Sequence, residues 1–217
     1  MYGEPPAAPV TASSRPVLAA IAAGVSALNP QPLGRMLALT RWCSRVPRRH
    51  PQPGSSTTSG FYGDFSSFQW GGPEEAVIAK GSPWPQELAR VLSGLLQLAN
   101  LPARIVFLYG EEPPLLHAVV ETWVRDRWAV CDPCANRCYI WPHRGYASAL
   151  DLQQHPRLVD QAPEHGRNPY VDGRLFRTIA IAEYVLSSKP PPDGDLAPAR
   201  PEDREILRAA AQVFEVP

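Results

Sequence analysis

The chain has 217 residues, 44% of them hydrophobic and including six Trp and seven Tyr, which suits one globular domain with a real core and excludes a disordered chain. Basic and acidic residues balance at 21 each, so the chain lacks the basic footprint that nucleic-acid binding requires. No apolar run reaches the roughly 18 to 20 residues of a membrane span, and neither nucleic acid nor membrane is an expected partner.

The 26 prolines cluster at Pro5 to Pro9, Pro47 to Pro53 and Pro190 to Pro201, which marks those stretches as loops and linkers. Val17 to Leu28 has about the length of a signal-peptide apolar region, but no strongly basic segment precedes it and Glu4 does. It reads as a packed helix, and the expected location is the cytoplasm. Lys80 and Lys189 are the two lysines, and every other base is Arg. With the Ala and Pro content, that points to a GC-rich bacterial genome.

Residues 1–15 read as a disordered tail rich in Pro, Ala and Ser. Residues 16–60 form a helical part followed by a loop. Pro16 opens a helix carrying Val17, Leu18, Ile21, Val25 and Leu28, and Asn29-Pro30 ends it. A second helix is predicted over Leu33 to Val46. Residues 61–188 form the core unit, beginning with an aromatic segment, Phe61 to Trp70, whose spacing has no clean period. That segment suits core packing better than a substrate groove. Glu74 to Ala79 makes a helical turn.

A central helix follows, in which Leu88, Val91, Leu92, Leu95, Leu96 and Leu98 recur at intervals of three and four. Ser82 is placed to cap it, Glu87 suits its first turn, and Asn100 stops it. Ala103 to Tyr109 is a strand, rich in β-formers and bounded by Gly110. His117 to Val124 and Arg127 to Cys131 pair as a hairpin around Arg125-Asp126. Beyond Pro142 the pattern weakens to short helices at Ala147 to Gln154 and Pro156 to Asp160, then a strand or strand pair at Phe176 to Leu186. Residues 189–200 are a Pro-rich linker, and residues 201–217 a C-terminal helix.

A helix start, a histidine on one strand and an aspartate on the paired strand are the parts of a thiol–imidazole–carboxylate triad. A thiol at a helix N-terminus feels the positive end of the dipole and ionises more easily. A histidine takes its proton, and a carboxylate holds the imidazole tautomer and stabilises the imidazolium. The hairpin is expected to set His117 and Asp132 side by side, with backbones about 5 Å apart.

Gly81, Ala89, the Leu101 to Val106 turn and strand, His117 with Glu121, and Trp128 with Asp132-Pro133 occur in one coordinated order. Over Gly81 to Pro133 that order resembles the transglutaminase-like superfamily, which includes cross-linking transglutaminases, cysteine proteases, peptide N-glycanases and amide-forming biosynthetic enzymes. The resemblance implies an α+β fold of the papain or transglutaminase type, a central helix packed on an antiparallel sheet. It also implies a nucleophilic Cys four residues before Ala89, where this chain has Pro85, preceded by Trp84. Proline has no nucleophile to offer.

Three readings follow. In the first, the domain is a non-catalytic member, a pseudoenzyme binding a protein partner. In the second it is repurposed: His117 acts as general acid or base on a small-molecule, acyl or peptide substrate, Asp132 orients it, and Trp84 and Glu87 are accessory. In the third, Cys43, Cys134 or the Ser82 hydroxyl supplies the nucleophile. The bland alternative is that His117 and Asp132 stabilise each other without function. A place in a bacterial biosynthetic pathway is expected from the breadth of the family.

No cofactor is expected, because there is no Walker loop, G-x-G-x-x-G or H-E-x-x-H. Cys131, Cys134 and Cys138, with His143 close behind, invite a zinc reading. A second close pair is missing, however, and cysteines packed at a strand end suit the pattern better.

Overall fold

A computed structural model describes residues 15–47, 74–81, 84–109, 116–160 and 173–182. Residues 1–14 of the tail, the aromatic segment Phe61 to Trp70, Ser82, the linker and the C-terminal helix expected from the sequence lie outside the described residues, whereas Arg15, expected at the end of the disordered tail, is buried and paired with Glu74.

The elements in chain order are α1 (Pro16–Leu28), α2 (Pro32–Cys43), α3 (Glu74–Lys80), α4 (Pro85–Leu98), β1 (Ala103–Tyr109), β2 (Leu116–Val124), β3 (Arg127–Asp132), β4 (Arg137–Cys138), β5 (Ile140–Trp141), β6 (Gly145–Tyr146), α5 (Ala149–Gln154), α6 (Arg157–Asp160), a 3₁₀ turn (Gly173–Arg177) and β7 (Thr178–Ala182). Five strands form one antiparallel sheet in the order β4-β3-β2-β1-β7, and β5 pairs separately with β6. The fold is α+β with a central helix on an antiparallel sheet, as the sequence implies.

Strand alternation gives the sheet two buried faces. Ile105, Ala118, Val120, Ala129 and Cys131 pack in one cluster with α1, α2 and α4. Val106, Leu108, Val119 and Val130 pack in a second cluster with Tyr139, Ala147, Leu152, Val159 and Phe176. Helix α4 lies between the sheet and the N-terminal helices, so burial extends well beyond its apolar stripe: Gln86, Arg90, Ser93 and Gln97 are buried too. Partners offset that cost. Arg90 lies 3.3 Å from Glu74, and Gln97 Nε2 donates to Ser93 Oγ at 3.4 Å and to the Ala103 carbonyl at 3.1 Å.

The N-cap of α4 is Trp84 in extended backbone, with Pro85 in the first turn and no side-chain cap. The start is set by proline's fixed φ, which suits a first-turn position whose N–H has no intrahelical partner. Just before it, Gly81 has φ +77, and a Cβ there would meet the Pro47 carbonyl oxygen at 2.3 Å. Only glycine permits that approach. At the other end Asn100 takes φ 59, its N–H donates to the Gln97 carbonyl at 3.0 Å, and the Leu101 N–H reaches back to the Leu96 carbonyl at 2.9 Å. This is a Schellman stop sealed by buried Leu101.

The β2–β3 turn has Arg125 at φ 51 and Asp126 at φ 60, both in the left-handed region that a type I′ hairpin requires. The register sets Val120 opposite Cys131 and Trp123 opposite Trp128. Beyond β4 the backbone closes a triangle: Tyr139 N–H donates to Val130 O, Ala147 N–H to Tyr139 O, and Val130 N–H to Ala147 O, at 3.1, 2.9 and 2.9 Å. Phe176, expected on a strand, lies in the 3₁₀ turn that leads into β7, and its buried ring meets Tyr139 edge-on at 5.6 Å.

Candidate active site

His117 is the second residue of β2, and Asp132 ends β3. The side-by-side placement expected from the hairpin needs correction. Cys131 is opposite Val120, so Asp132 and His117 are diagonal neighbours rather than direct partners. By alternation both share the face of Val119 and Val130. Their side chains close the diagonal, with His117 Nε2 2.9 Å from Asp132 Oδ2. His117 is 6% exposed and Asp132 fully buried. The other carboxylate oxygen, Oδ1, accepts the backbone N–H groups of Cys134 at 2.8 Å and Ala135 at 3.2 Å. That is an Asx turn, and it orients the carboxylate that the imidazole contacts through Oδ2.

Four residues beyond His117 along β2, Glu121 occupies the same face. Arg104 Nε donates to Glu121 Oε2 at 2.8 Å, Arg104 Nη2 lies 2.7 Å from the same oxygen, and the Ala149 N–H donates to Glu121 Oε1 at 2.6 Å. The guanidinium stacks 3.9 Å over Trp128. Glu121 is fully buried, and that burial pushes its carboxyl up from the usual range against the opposing pull of Arg104 and the Ala149 N–H. This brace ties β1, β2, β3 and the start of α5 together beside the His–Asp pair. The sequence pattern contained Glu121 and Trp128 but did not single out Arg104, which the pairing of β1 with β2 sets opposite Glu121.

The third member of the cluster is Cys134. Among the described residues, polar atoms of His117, Asp132 and Cys134 all lie within 4.8 Å of one another, and Cys134 is half-buried. Glu87 does not join that group. It sits in the first turn of α4 with Trp84 and Pro85 just before it. Cys43 is fully buried on α2, its thiol donates to the Leu88 carbonyl at 3.4 Å, and burial first, then nearby Cys134, pushes it far above the ordinary thiol range. That suits packing and not attack.

Imidazole, carboxylate and thiolate form a donor set that a zinc-class cation accepts. The trio that could hold one takes Cys134 alone from the cysteine cluster. Cys131 and Cys138 face each other instead, sulfur to sulfur at 2.9 Å, and His143 lies exposed at φ 63 in the turn after β5.

The sequence model of the transglutaminase-like superfamily matches residues 19–133, more than half of the chain. The chain belongs to that superfamily. Among solved structures, one of a "putative cysteine protease" from Cytophaga hutchinsonii is similar at 18% identity and a TM-score of 0.34, over 58% of this chain. The match spans 43% of that protein's length. Among curated proteins there is no match.

Proposed function

We propose that this chain is a repurposed transglutaminase-fold enzyme of acyl transfer, with Cys134 as the thiol that the start of α4 lacks. Pro85 and Trp84 stand where the family pattern sets its nucleophile. The observation that carries the reading is the clustering of His117, Asp132 and Cys134 within 4.8 Å, the carboxylate already docked on the imidazole. Asp132 holds the tautomer that leaves the second ring nitrogen basic. His117 takes the Cys134 proton, the thiolate attacks an acyl carbonyl, and the imidazolium returns the proton to the departing amine or alcohol. An amine or water then resolves the thioester. The substrate class is an acyl or peptide amide, and a bacterial biosynthetic setting in the cytoplasm fits it.

Site-resolved alkylation of the intact protein tests this. A cysteine activated by an imidazole labels at least about ten-fold faster at pH 7 than an unassisted thiol. Cys134 is expected to outpace Cys43 by that margin and to lose the advantage in His117→Gln, which keeps a donor to Asp132 but no base. Equal labelling of Cys134 in both proteins overturns the proposal. It would favour the non-catalytic reading, which the burial of His117 and Asp132 supports.

A further inference from the structure

The cysteine pair beside this site has a chemistry of its own. Cys131 and Cys138 are direct partners across β3 and β4. The Tyr139 N–H donates to the Val130 carbonyl at 3.1 Å, so the neighbouring pair Cys131/Cys138 falls at a non-hydrogen-bonded position of the ladder. Backbones at such positions stand about 4.5 Å apart, inside the span of about 4.4–6.8 Å that a disulfide bridges. The two sulfurs already lie 2.9 Å apart as thiols, so closure requires no rearrangement of the strands. Cys131 is fully buried and Cys138 is partly exposed, which gives the pair an outer thiol and an inner one.

We propose that Cys131 and Cys138 form a modification site, a dithiol that a low-molecular-weight disulfide converts reversibly into a cross-strand disulfide. Cys138, as thiolate, attacks the reagent's S–S bond, forms a mixed disulfide and releases one reagent thiol. Cys131, already in contact with the Cys138 sulfur, then attacks it and passes its proton to the departing sulfur, so the second reagent molecule leaves as a thiol. Two protein thiols are oxidised and one reagent disulfide is reduced to two thiols. The bridge closes the eight-residue span from Cys131 to Cys138, which contains Asp132, Cys134 and both backbone N–H groups that hold Asp132 Oδ1. Oxidation therefore staples the turn that positions the carboxylate. The inference rests on strand pairing and stands whether or not Cys134 is a nucleophile.

The test uses the full chain equilibrated with excess oxidised glutathione, then free thiols blocked and the protein digested without reductant. The expected result is a loss of about 2 Da, mapped to a Cys131–Cys138 peptide pair and reversed by reductant. Melting temperature should rise by about 5 °C on oxidation. Cys134→Ser should keep the 2 Da loss, and Cys138→Ser should abolish it. No intramolecular loss in the wild-type chain, a stable glutathione adduct on Cys138, or a bridge that maps to Cys134 overturns the proposal. Alkylation of Cys134 in the reduced protein reads the acyl-transfer proposal separately, so either can fail alone.

Discussion

Both faces of the sheet are buried, and they handle charge in different ways. Toward α4, the strands present Ile105, Ala118, Val120, Ala129 and Cys131 against Leu88, Leu92 and Leu95, and the buried polar group they add is the uncharged Thr122, whose hydroxyl donates to the Pro102 carbonyl at 2.9 Å. Toward α5, Val106, Leu108, Val119 and Val130 share their layer with Arg104, Glu121, His117 and Asp132, all 6% exposed or less. Burying charge costs several kcal/mol per ion, and the return comes only from close, hydrogen-bonded partners. Each buried carboxylate on the second face has them: Glu121 has Arg104 and the Ala149 N–H, and Asp132 has His117 and two backbone N–H groups. The first face holds the domain together, and the second spends part of that stability on a fixed arrangement of ionisable groups.

Breaking the second face should have the largest effect. Glu121→Ala strands the Arg104 guanidinium in the core, and denaturant unfolding should report a loss of about 3–5 kcal/mol. The same carboxylate has a pH signature. Its folded-state pKa is raised by burial, so its stability contribution is fully present below the unfolded value and falls as pH rises through the raised one. Glu121→Gln removes that titration. The stability of wild type relative to this variant should therefore decrease as pH climbs above the ordinary glutamate range. A difference that stays flat with pH would show that Arg104 and the Ala149 N–H cancel the desolvation.

On the first face the expected loss is of a different kind. Leu95→Ala, at a fully buried position of α4, leaves a cavity and should cost about 2–5 kcal/mol without pH dependence. A pH-dependent loss there would mean that the two faces are coupled through the sheet. The smallest change sharpens the contrast. The Tyr139 hydroxyl is buried in the second cluster with no hydrogen-bond partner among the described residues, and burial pushes it up from the usual phenol range. Tyr139→Phe removes an unpaired polar atom and keeps the ring against Phe176. Thermal unfolding should show no loss and a gain of up to about 1 kcal/mol.

Much of the first face could be read from the sequence, because it is written in periodicity. The three- and four-residue spacing of Leu88 to Leu98 defines α4, Asn100 stops it at the residue that adopts φ 59, and the Ala103 to Tyr109 strand has the predicted bounds. The hairpin around Arg125-Asp126 was also legible, despite the absence of glycine. Much of the second face depends on information that spacing does not carry. The two-residue turn at Arg125-Asp126 sets Val124 opposite Arg127, and counting along that register puts Asp132 opposite Val119, so the diagonal offset from His117 was available to a residue count that the side-by-side expectation did not make. Strands β4, β5 and β6 have two residues each, too short for any alternation to show. The approach of Cys134 to His117 depends on an Asx turn whose signal is a single aspartate before a proline. Position 85 was legible as proline, but its role in setting the start of α4 belongs to the helix backbone, with Trp84 as the cap that Ser82 was expected to provide.

The triangle of backbone bonds among Val130, Tyr139 and Ala147 bears on how a peptide could approach. An edge strand with open N–H and C=O groups invites another chain to extend the sheet, whether a bound peptide or a second copy heading toward aggregation. Here β4 ends after two residues, and the chain returns through Ala147 to take up the ladder positions that follow. The ladder position of β3 at Val130 is therefore taken, and β4 is the edge strand of the sheet beside Asp132. Under the proposed acyl transfer, a peptide substrate would therefore not add a strand to β3 at Val130.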